Sequence, residues 1–418
     1  MVNQIARLKN LTQNNSLKSI RIFSLALIFT IGSLSHSLAQ GSGYIYADSS
    51  NNKEILLLNE SIQIEITEAV NNMYNFKFQD AEREFRWLKY RYPNHPLPDF
   101  LLGLSEWWKI MPNIENEQYD NRFLMYMDST IYKAEKMMDV NEEDREASFF
   151  LAGAYGFKGR LYSERKSWRK ATVAGSSALK YLNLSRDENA DFFNPELMFG
   201  DALYNYYSVW IPENYPLLKP ILVFFRKGDK QLGIDQLREV SRNSFYSRTE
   251  AQYFLMRILY TEEKDIEGGY QIAEYLYDTY PDNAYFHRYF TMLNYLRGRT
   301  AETEKLSLRI LENLDAGMPG YEAISGRYAS FFLGHINETR NNKVKAMEYY
   351  SRAISFGEES ESQESGYYIY SLLNLGKIQA GLGNRKEAKN YFSQVRKFAK
   401  RKHPAHKEAR DFLKENKL

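Results

Sequence analysis

The chain has 418 residues, 44% hydrophobic and 26% charged, a composition that excludes a disordered protein and a length that suggests two or three ordinary domains. It contains no cysteine, which excludes disulfide frameworks, zinc–thiolate sites and thiol nucleophiles. The formal charge of +2 comes from the first 39 residues, where Arg7, Lys9, Lys18 and Arg21 stand without an acid; beyond them 51 basic residues face 53 acids, a balance of −2 that offers no global field for nucleic acid.

Residues 1–21 are polar and basic, and Ile22 to Leu34 form an apolar run of 13 residues, followed by the small residues of Ser37-Leu38-Ala39. This is the three-part plan of a secretory signal, with cleavage expected between Ala39 and Gln40. A membrane span needs about 20 apolar residues, so the run is read as a signal rather than an anchor. With no cysteine at the cleavage site, a bacterial lipid anchor of the usual kind is excluded, and a cysteine-free exported chain suits a bacterial periplasm. Residues 40–60 form a short lead-in.

From about residue 54 the apolar periodicity is helical throughout. Ala81, Phe85, Leu88 and Pro93 are spaced four, three and five apart, and Gly269, Ala273, Leu276 and Pro281 repeat that spacing. Ala346, Tyr350 and Ala353 show it again, as do Ala388, Phe392 and Val395. Leu333-Gly334 and Leu375-Gly376 each place a glycine 12 residues before the alanine. Such a pattern predicts a helical hairpin: the glycine lets the second helix approach, alanine sits at the crossing, a ring fills the next turn, and proline ends the helix. One hairpin cannot bury its own apolar face, so the units must stack. Regular units fall at 62–95, 250–283, 284–317, 327–360 and 369–402. Region 96–249 carries irregular units opened by Leu102-Gly103, Gly153 and Gly200, with second helices around Met127, Ile131 and Ala134, around Ala171, Gly175 and Ala178, and around Gly233, Leu237 and Val240. The stretches 186–194 and 357–366 read as surface loops, and residues 403–418 hold a polar capping helix.

The array resembles the tetratricopeptide repeat (TPR) family, with its 34-residue unit of W-x2-L-G-x2-Y, then A-x3-F, then a closing proline. That resemblance implies an all-α helical-hairpin solenoid spanning 61–418, a right-handed superhelix of about eight hairpins plus the C-terminal cap. Within 200–240, Trp210-Ile211-Pro212, Leu217-Leu218, Phe224-Phe225, Gly228-Asp229-Lys230 and Gly233 are similar in order to a stretch of the eukaryotic TPR family that includes a mitochondrial outer-membrane, inclusion-clearance protein. This suggests a hydrophobic elbow at 208–230 and transfers no function.

Catalytic and metal motifs are not found. No G-x-x-x-x-G-K-[ST], G-x-S-x-G or H-E-x-x-H occurs. His403 and His406 flank Pro404 and read as a helix start, not a ligand pair. Glu142-Glu143-Asp144 and Glu358-Glu359 read as solvated charges. Trp107-Trp108 reads as one core ring and one ring in a seam. Neither metal nor cofactor is expected.

In TPR arrays the first helix of each hairpin lines the concave face, so binding is expected there. Tyr285, Arg288, Met292 and Tyr295 form one stripe on a helix; Tyr328, Phe331, His335 and Glu338 repeat the spacing, as do Tyr370, Leu373, Lys377 and Ala380. Rings beside donors are the mix enriched at binding hot spots. The competing expectation is that these tyrosines pack between neighbouring repeats. The expected function is therefore an exported, non-enzymatic scaffold for a protein or peptide partner in the cell envelope. The alternatives are a membrane-apposed adaptor, contacting lipid or an outer-membrane complex through 208–230 or the basic stretch Arg396–Lys407, and an enzyme with a site in 96–249. The oligomeric state is open. Export has a direct check: intact-mass measurement on protein from the native host should give a chain beginning at Gln40, and a mass retaining residues 1–39 excludes the cleavage.

Overall fold

The computed structural model describes residues 55–185, 195–216 and 226–416. The expected signal, most of the lead-in, the 186–194 loop and the elbow's Leu217-Leu218 and Phe224-Phe225 lie outside the described residues. Among those described are seventeen α-helices and no strand, so the chain is an all-α array of helical hairpins. It divides into two compact units, one formed by 55–110 with 115–254, the other by 111–114 with 255–416.

In the first unit, α1 (Glu60–Tyr74) pairs with α2 (Phe78–Arg91), and α3 (Pro96–Ile110) with α4 (Asp120–Val140). Next come α5 (Arg145–Glu164) with α6 (Trp168–Ser185), and α7 (Pro195–Asn214) with α8 (Lys230–Asn243). The helix α9 (Arg248–Arg257) begins in this unit and continues into the other as a π-helical turn, Ile258–Glu262, a break that the repeat pattern did not announce. In the second unit α10 (Ile266–Thr279) packs on that turn. There follow α11 (Ala284–Leu296) with α12 (Thr300–Asp315), α13 (Ala323–Thr339) with α14 (Lys343–Glu359), and α15 (Gly366–Gly381) with α16 (Arg385–Phe398). The last helix, α17 (Pro404–Glu415), covers α16 through Ala405, Ala409 and a Phe392–Phe412 ring contact at 4.6 Å. Eight hairpins and a cap follow one another along the described residues; α14 runs to Glu359 and α15 starts at Gly366, so the 357–366 stretch expected as a surface loop is helical at both ends.

Inside each regular hairpin the packing follows the expected logic. A Cβ on Gly334 would stand 2.6 Å from the Tyr350 ring, and one on Gly376 would stand 2.9 Å from Phe392, so only glycine lets these rings lie flat on the first helix. Ala346, Ala353, Ala388 and Val395 are fully buried beside them. Six of the hairpin turns share one feature. A residue in the left-handed region, two positions before the second helix, reverses the chain: Phe76, Lys166, Lys264, Gly298, Asn341 and Gly383. In five of them the next amide donates to the carbonyl five residues back, as Lys77 N does to Asn72 O at 2.8 Å and Asn384 N to Gln379 O at 2.9 Å. This is the Schellman pairing that satisfies helix-end carbonyls.

First and second helices differ in surroundings. α11, α13 and α15 are buried almost all round, while α16 buries only Ala388, Phe392 and Val395. A helix with one apolar stripe faces water; a helix apolar on all sides must be enclosed.

The irregular unit compensates its long loops with buried ions. Asp99 on α3 is fully buried and meets Lys89 at 2.6 Å, Lys133 at 2.5 Å and Ser129 at 2.9 Å. Burial works against its ionisation, but the bonds from Lys133, Lys89 and Ser129 prevail and hold the carboxyl below its usual range. Glu196 on α7 accepts the amides of Tyr246 at 2.8 Å and Ser247 at 3.0 Å, tying down the turn that precedes α9. Trp107 and Trp108 are both fully buried, facing opposite ways: Trp107 meets Phe123 and Phe157, whereas Trp108 packs edge-on to Tyr74 and donates to Glu250 at 2.8 Å. The expected seam position for one of them is thus interior. Trp210-Ile211-Pro212, assigned to the elbow, lies inside α7, with Trp210 and Ile211 buried.

Ala388 tests the packing. Ala388→Leu overpacks a crossing with no free space and should cost about 1–3 kcal/mol. Hydrogen exchange should show protection lost first across 327–402, because each hairpin draws its burial from its neighbours. Uniform loss along the whole chain would contradict a one-dimensional array.

Candidate functional site

The residues expected to bind lie on α11, α13 and α15, in the second unit. Asn283 begins α11 by accepting the amides of Tyr285 at 3.0 Å and Phe286 at 3.1 Å, which sets the rotation of the tyrosine stripe. Glu322 plays the same part for α13, accepting from Ile324 N at 3.1 Å. Ser365 starts α15 through Tyr368 N.

Six of the nine expected site residues are buried: Tyr285, Arg288, Met292, Tyr295, Phe331 and Tyr370. Tyr328, His335 and Lys377 are half-buried. The burial comes from neighbouring hairpins. Tyr295 stacks on Phe332 with ring centroids 4.3 Å apart, and its hydroxyl lies 3.1 Å from His335 Nδ1. Phe331 meets the Tyr367 ring at 4.8 Å, Met292 receives a long contact from the Tyr260 hydroxyl, and Tyr370 faces the His403 ring. Lys377 pairs with Glu408 of the capping helix at 2.5 Å. Tyr285, Tyr328 and Tyr370, equivalent by repeat position, are therefore not equivalent in exposure.

What remains reachable centres on Tyr328. Two guanidinium groups stand near its ring, with Arg288 Cζ 5.7 Å and Arg327 Cζ 5.8 Å from the centroid. Arg288 also lies 5.2 Å from the Tyr285 ring and donates to Pro112 O at 3.0 Å and to Ser325 Oγ at 3.1 Å. Arg327 donates to Ser360 Oγ at 3.3 Å, and burial lowers its pKa from the usual guanidinium value. Glu322 is 3.7 Å from Arg288; burial holds it above the usual carboxylate range, against the pull of Arg288. Two cations thus face one carboxyl group whose own ionisation is opposed, around a ring that faces each cation with its π-electrons.

Arg327, Glu322 and Ser325 were not singled out from the sequence. Their signal is the arginine itself: an apolar first helix that carries a charge next to its stripe tyrosine has to pair it internally. His403, read as a helix start, caps α17 by accepting from Ala405 N at 3.2 Å. Among the described residues no group of three His, Asp or Glu side chains is placed to hold a metal. No protein-family model matches this chain, and no curated protein does.

His287, next to Arg288, gives the site a pH dependence. It is almost fully buried, its Nδ1 lies 2.9 Å from the Tyr321 hydroxyl, and burial pulls its pKa down to about 3. A folded pKa below the unfolded value means that the unfolded chain binds the proton first. Stability conferred by His287 is therefore complete above pH 6.5 and is lost as pH falls towards the folded value. Denaturant titrations should show a loss approaching about 1.4 kcal/mol per pH unit between pH 6 and pH 4 from this group. In His287→Gln that slope should shrink by one proton; an unchanged slope would mean that His287 takes up its proton in the folded protein.

Proposed function

We propose that this chain is an exported, non-enzymatic scaffold of the tetratricopeptide kind that holds an acidic segment of a protein partner in the bacterial cell envelope. The observation that supports this most is the half-buried Tyr328 ring with Arg288 and Arg327 both near it, and Glu322 as the carboxyl group beside them. Tyrosine and arginine are the residues that dominate binding energy when they sit in packed, largely desolvated places. Here both arginines are already ordered by Pro112, Ser325 and Ser360, so little side-chain entropy is lost on binding. A carboxylate docking at the half-buried Tyr328 ring would feel the positive field of the two arginines buried behind it. The stacked hairpins favour such a role, since repeat arrays present extended surfaces rather than enclosed reaction chambers. The signal-like N-terminus supports the envelope location.

A second reading rests on a separate observation. Arg396, Lys397, Lys400, Arg401 and Lys402 are all exposed around the turn into α17, a cluster suited to anionic headgroups. No described helix is long and apolar enough to cross a membrane, so this contact would be peripheral.

The test is recovery of a stoichiometric partner from envelope extract by wild-type protein and by Tyr328→Ala. Loss of a hot-spot ring costs about 2 kcal/mol or more, so recovery should fall by about thirtyfold while the melting temperature holds. The wild-type complex should dissociate as salt rises, as expected for an acidic partner. A fall in melting temperature with the partner still bound identifies Tyr328 as core. Flotation of the wild-type chain with anionic vesicles, lost on neutralising Lys400, Arg401 and Lys402, would favour the membrane reading.

A further inference from the structure

The other unit contains a feature unrelated to the tyrosine stripe. Between α5, α6 and α7 lies a partly enclosed cavity of about 170 Å³. The buried Phe100, Leu104 and Phe254 line it together with the half-buried Phe149, Leu179 and Leu203. Side chains are missing along its α5 wall. Gly153, Gly156 and Gly159 all line the cavity, and they do different things. A Cβ on Gly153 would press on the Phe100 ring at 3.1 Å, and one on Gly159 would meet the Gly175 backbone at 3.5 Å, so both sit where a neighbour comes close. A Cβ on Gly156 would meet nothing within 4 Å. That glycine opens the void.

Nothing in the fold requires glycine at 156. No neighbour crowds it, and it stands inside a regular helix rather than in the left-handed region. Glycine in a helix interior is destabilising by roughly 0.5–1 kcal/mol relative to alanine. The unfilled void adds a second loss, because its lining atoms lack the contacts that a larger side chain would supply. Stability is thus given up twice at one position, where a single leucine would recover both losses. A local rule broken with no structural gain is a mark of a functional site.

We propose that this cavity binds a small uncharged hydrocarbon, a single aromatic ring with at most short alkyl substituents. Volume and lining set that class. Cavities of about 150 Å³ lined by Leu, Ile and Phe accept benzene, so one substituted ring fits this one. Its own rings already meet edge-on, Phe100 with Phe157 at 6.1 Å and Phe199 with Phe254 at 5.9 Å, and a guest ring can extend that arrangement. The two charged lining residues are committed to the core. Arg160 donates to the Tyr253 hydroxyl at 2.7 Å and lies 4.6 Å from the Trp107 ring, while Glu250 accepts from Trp108 Nε1 at 2.8 Å. An ionic guest would lose its water among apolar side chains, which disfavours it. The inference is independent of the partner-binding role, which belongs to other residues in the other unit.

The experiment titrates the full chain with toluene, benzoate, benzylammonium and naphthalene, followed by ligand-observed NMR and by melting temperature. Toluene should bind saturably, one to one, and raise the melting temperature, because a ligand of the folded chain alone stabilises it. Benzoate and benzylammonium should each bind at least about tenfold more weakly, about 1.4 kcal/mol. Gly156→Leu should fill the void and abolish toluene binding while the melting temperature stays level or rises. Leu179→Ala enlarges the void from α6 and should admit naphthalene, which the wild type excludes. The proposal is overturned if toluene does not saturate, if either ion binds as well as toluene, or if folded Gly156→Leu binds toluene like the wild type. Should Gly156→Leu not fold, Leu179→Ala decides: naphthalene bound no better than by the wild type overturns the proposal.

Discussion

Much of this molecule depends on one contact, the aromatic ring of a second helix lying against a glycine of the first. At Gly334 and Gly376 the rings of Tyr350 and Phe392 sit where any Cβ would collide, so each pair of helices packs closer than ordinary side chains allow. The close crossing then requires small neighbours, supplied by Ala346 and Ala388. A hairpin joined this tightly is still only two helices thick, and its first helix keeps an apolar outer face. The next hairpin must cover it. Stacking is thus a consequence of the glycine contact rather than a separate instruction.

Covering the first helices has a further consequence for their polar residues. α11 and α13 carry Arg288, Arg327 and His287 in surroundings that exclude water. Buried charges persist only where partners are near, and here these are a loop carbonyl at Pro112, the serines 325 and 360, and Glu322. The result is a preorganised cationic cluster around the one stripe tyrosine that is not sealed. The same enclosure gives His287 its depressed pKa and leaves it bonded to Tyr321. Binding potential and acid sensitivity in this unit therefore have a common physical origin.

The other unit uses glycine differently. On α5 the three glycines are chemically identical and each lies less than one turn from the next, yet one faces a ring, one faces backbone and one faces a void. Glycine only permits approach; what stands opposite decides whether the space is filled. Where Phe100 and α6 come in, the helices lock together. Where nothing comes in, a cavity remains, with Tyr246 and Glu250 among its lining residues.

By itself the sequence determined the helical period, the eight paired units, the alanine and ring positions at the crossings, and the polar cap. These depend on spacing along one helix or one turn, and the chain writes such spacings directly. The left-handed turn residues were not read from the sequence, and Phe76, Lys166, Lys264 and Asn341 lack the glycine that would announce them; there the packed helices force the backbone. The exposure of the tyrosine stripe escaped it as well. Tyr285, Tyr328 and Tyr370 share a spacing, and only the neighbours brought in by stacking make Tyr285 and Tyr370 interior and leave Tyr328 half-open. The pairing of Arg288 with Pro112, 176 positions away, and of Glu250 with Trp108, 142 positions away, depends on long-range closure, which no local pattern encodes. Periodicity is a property of the chain, whereas enclosure is a property of what folds against it.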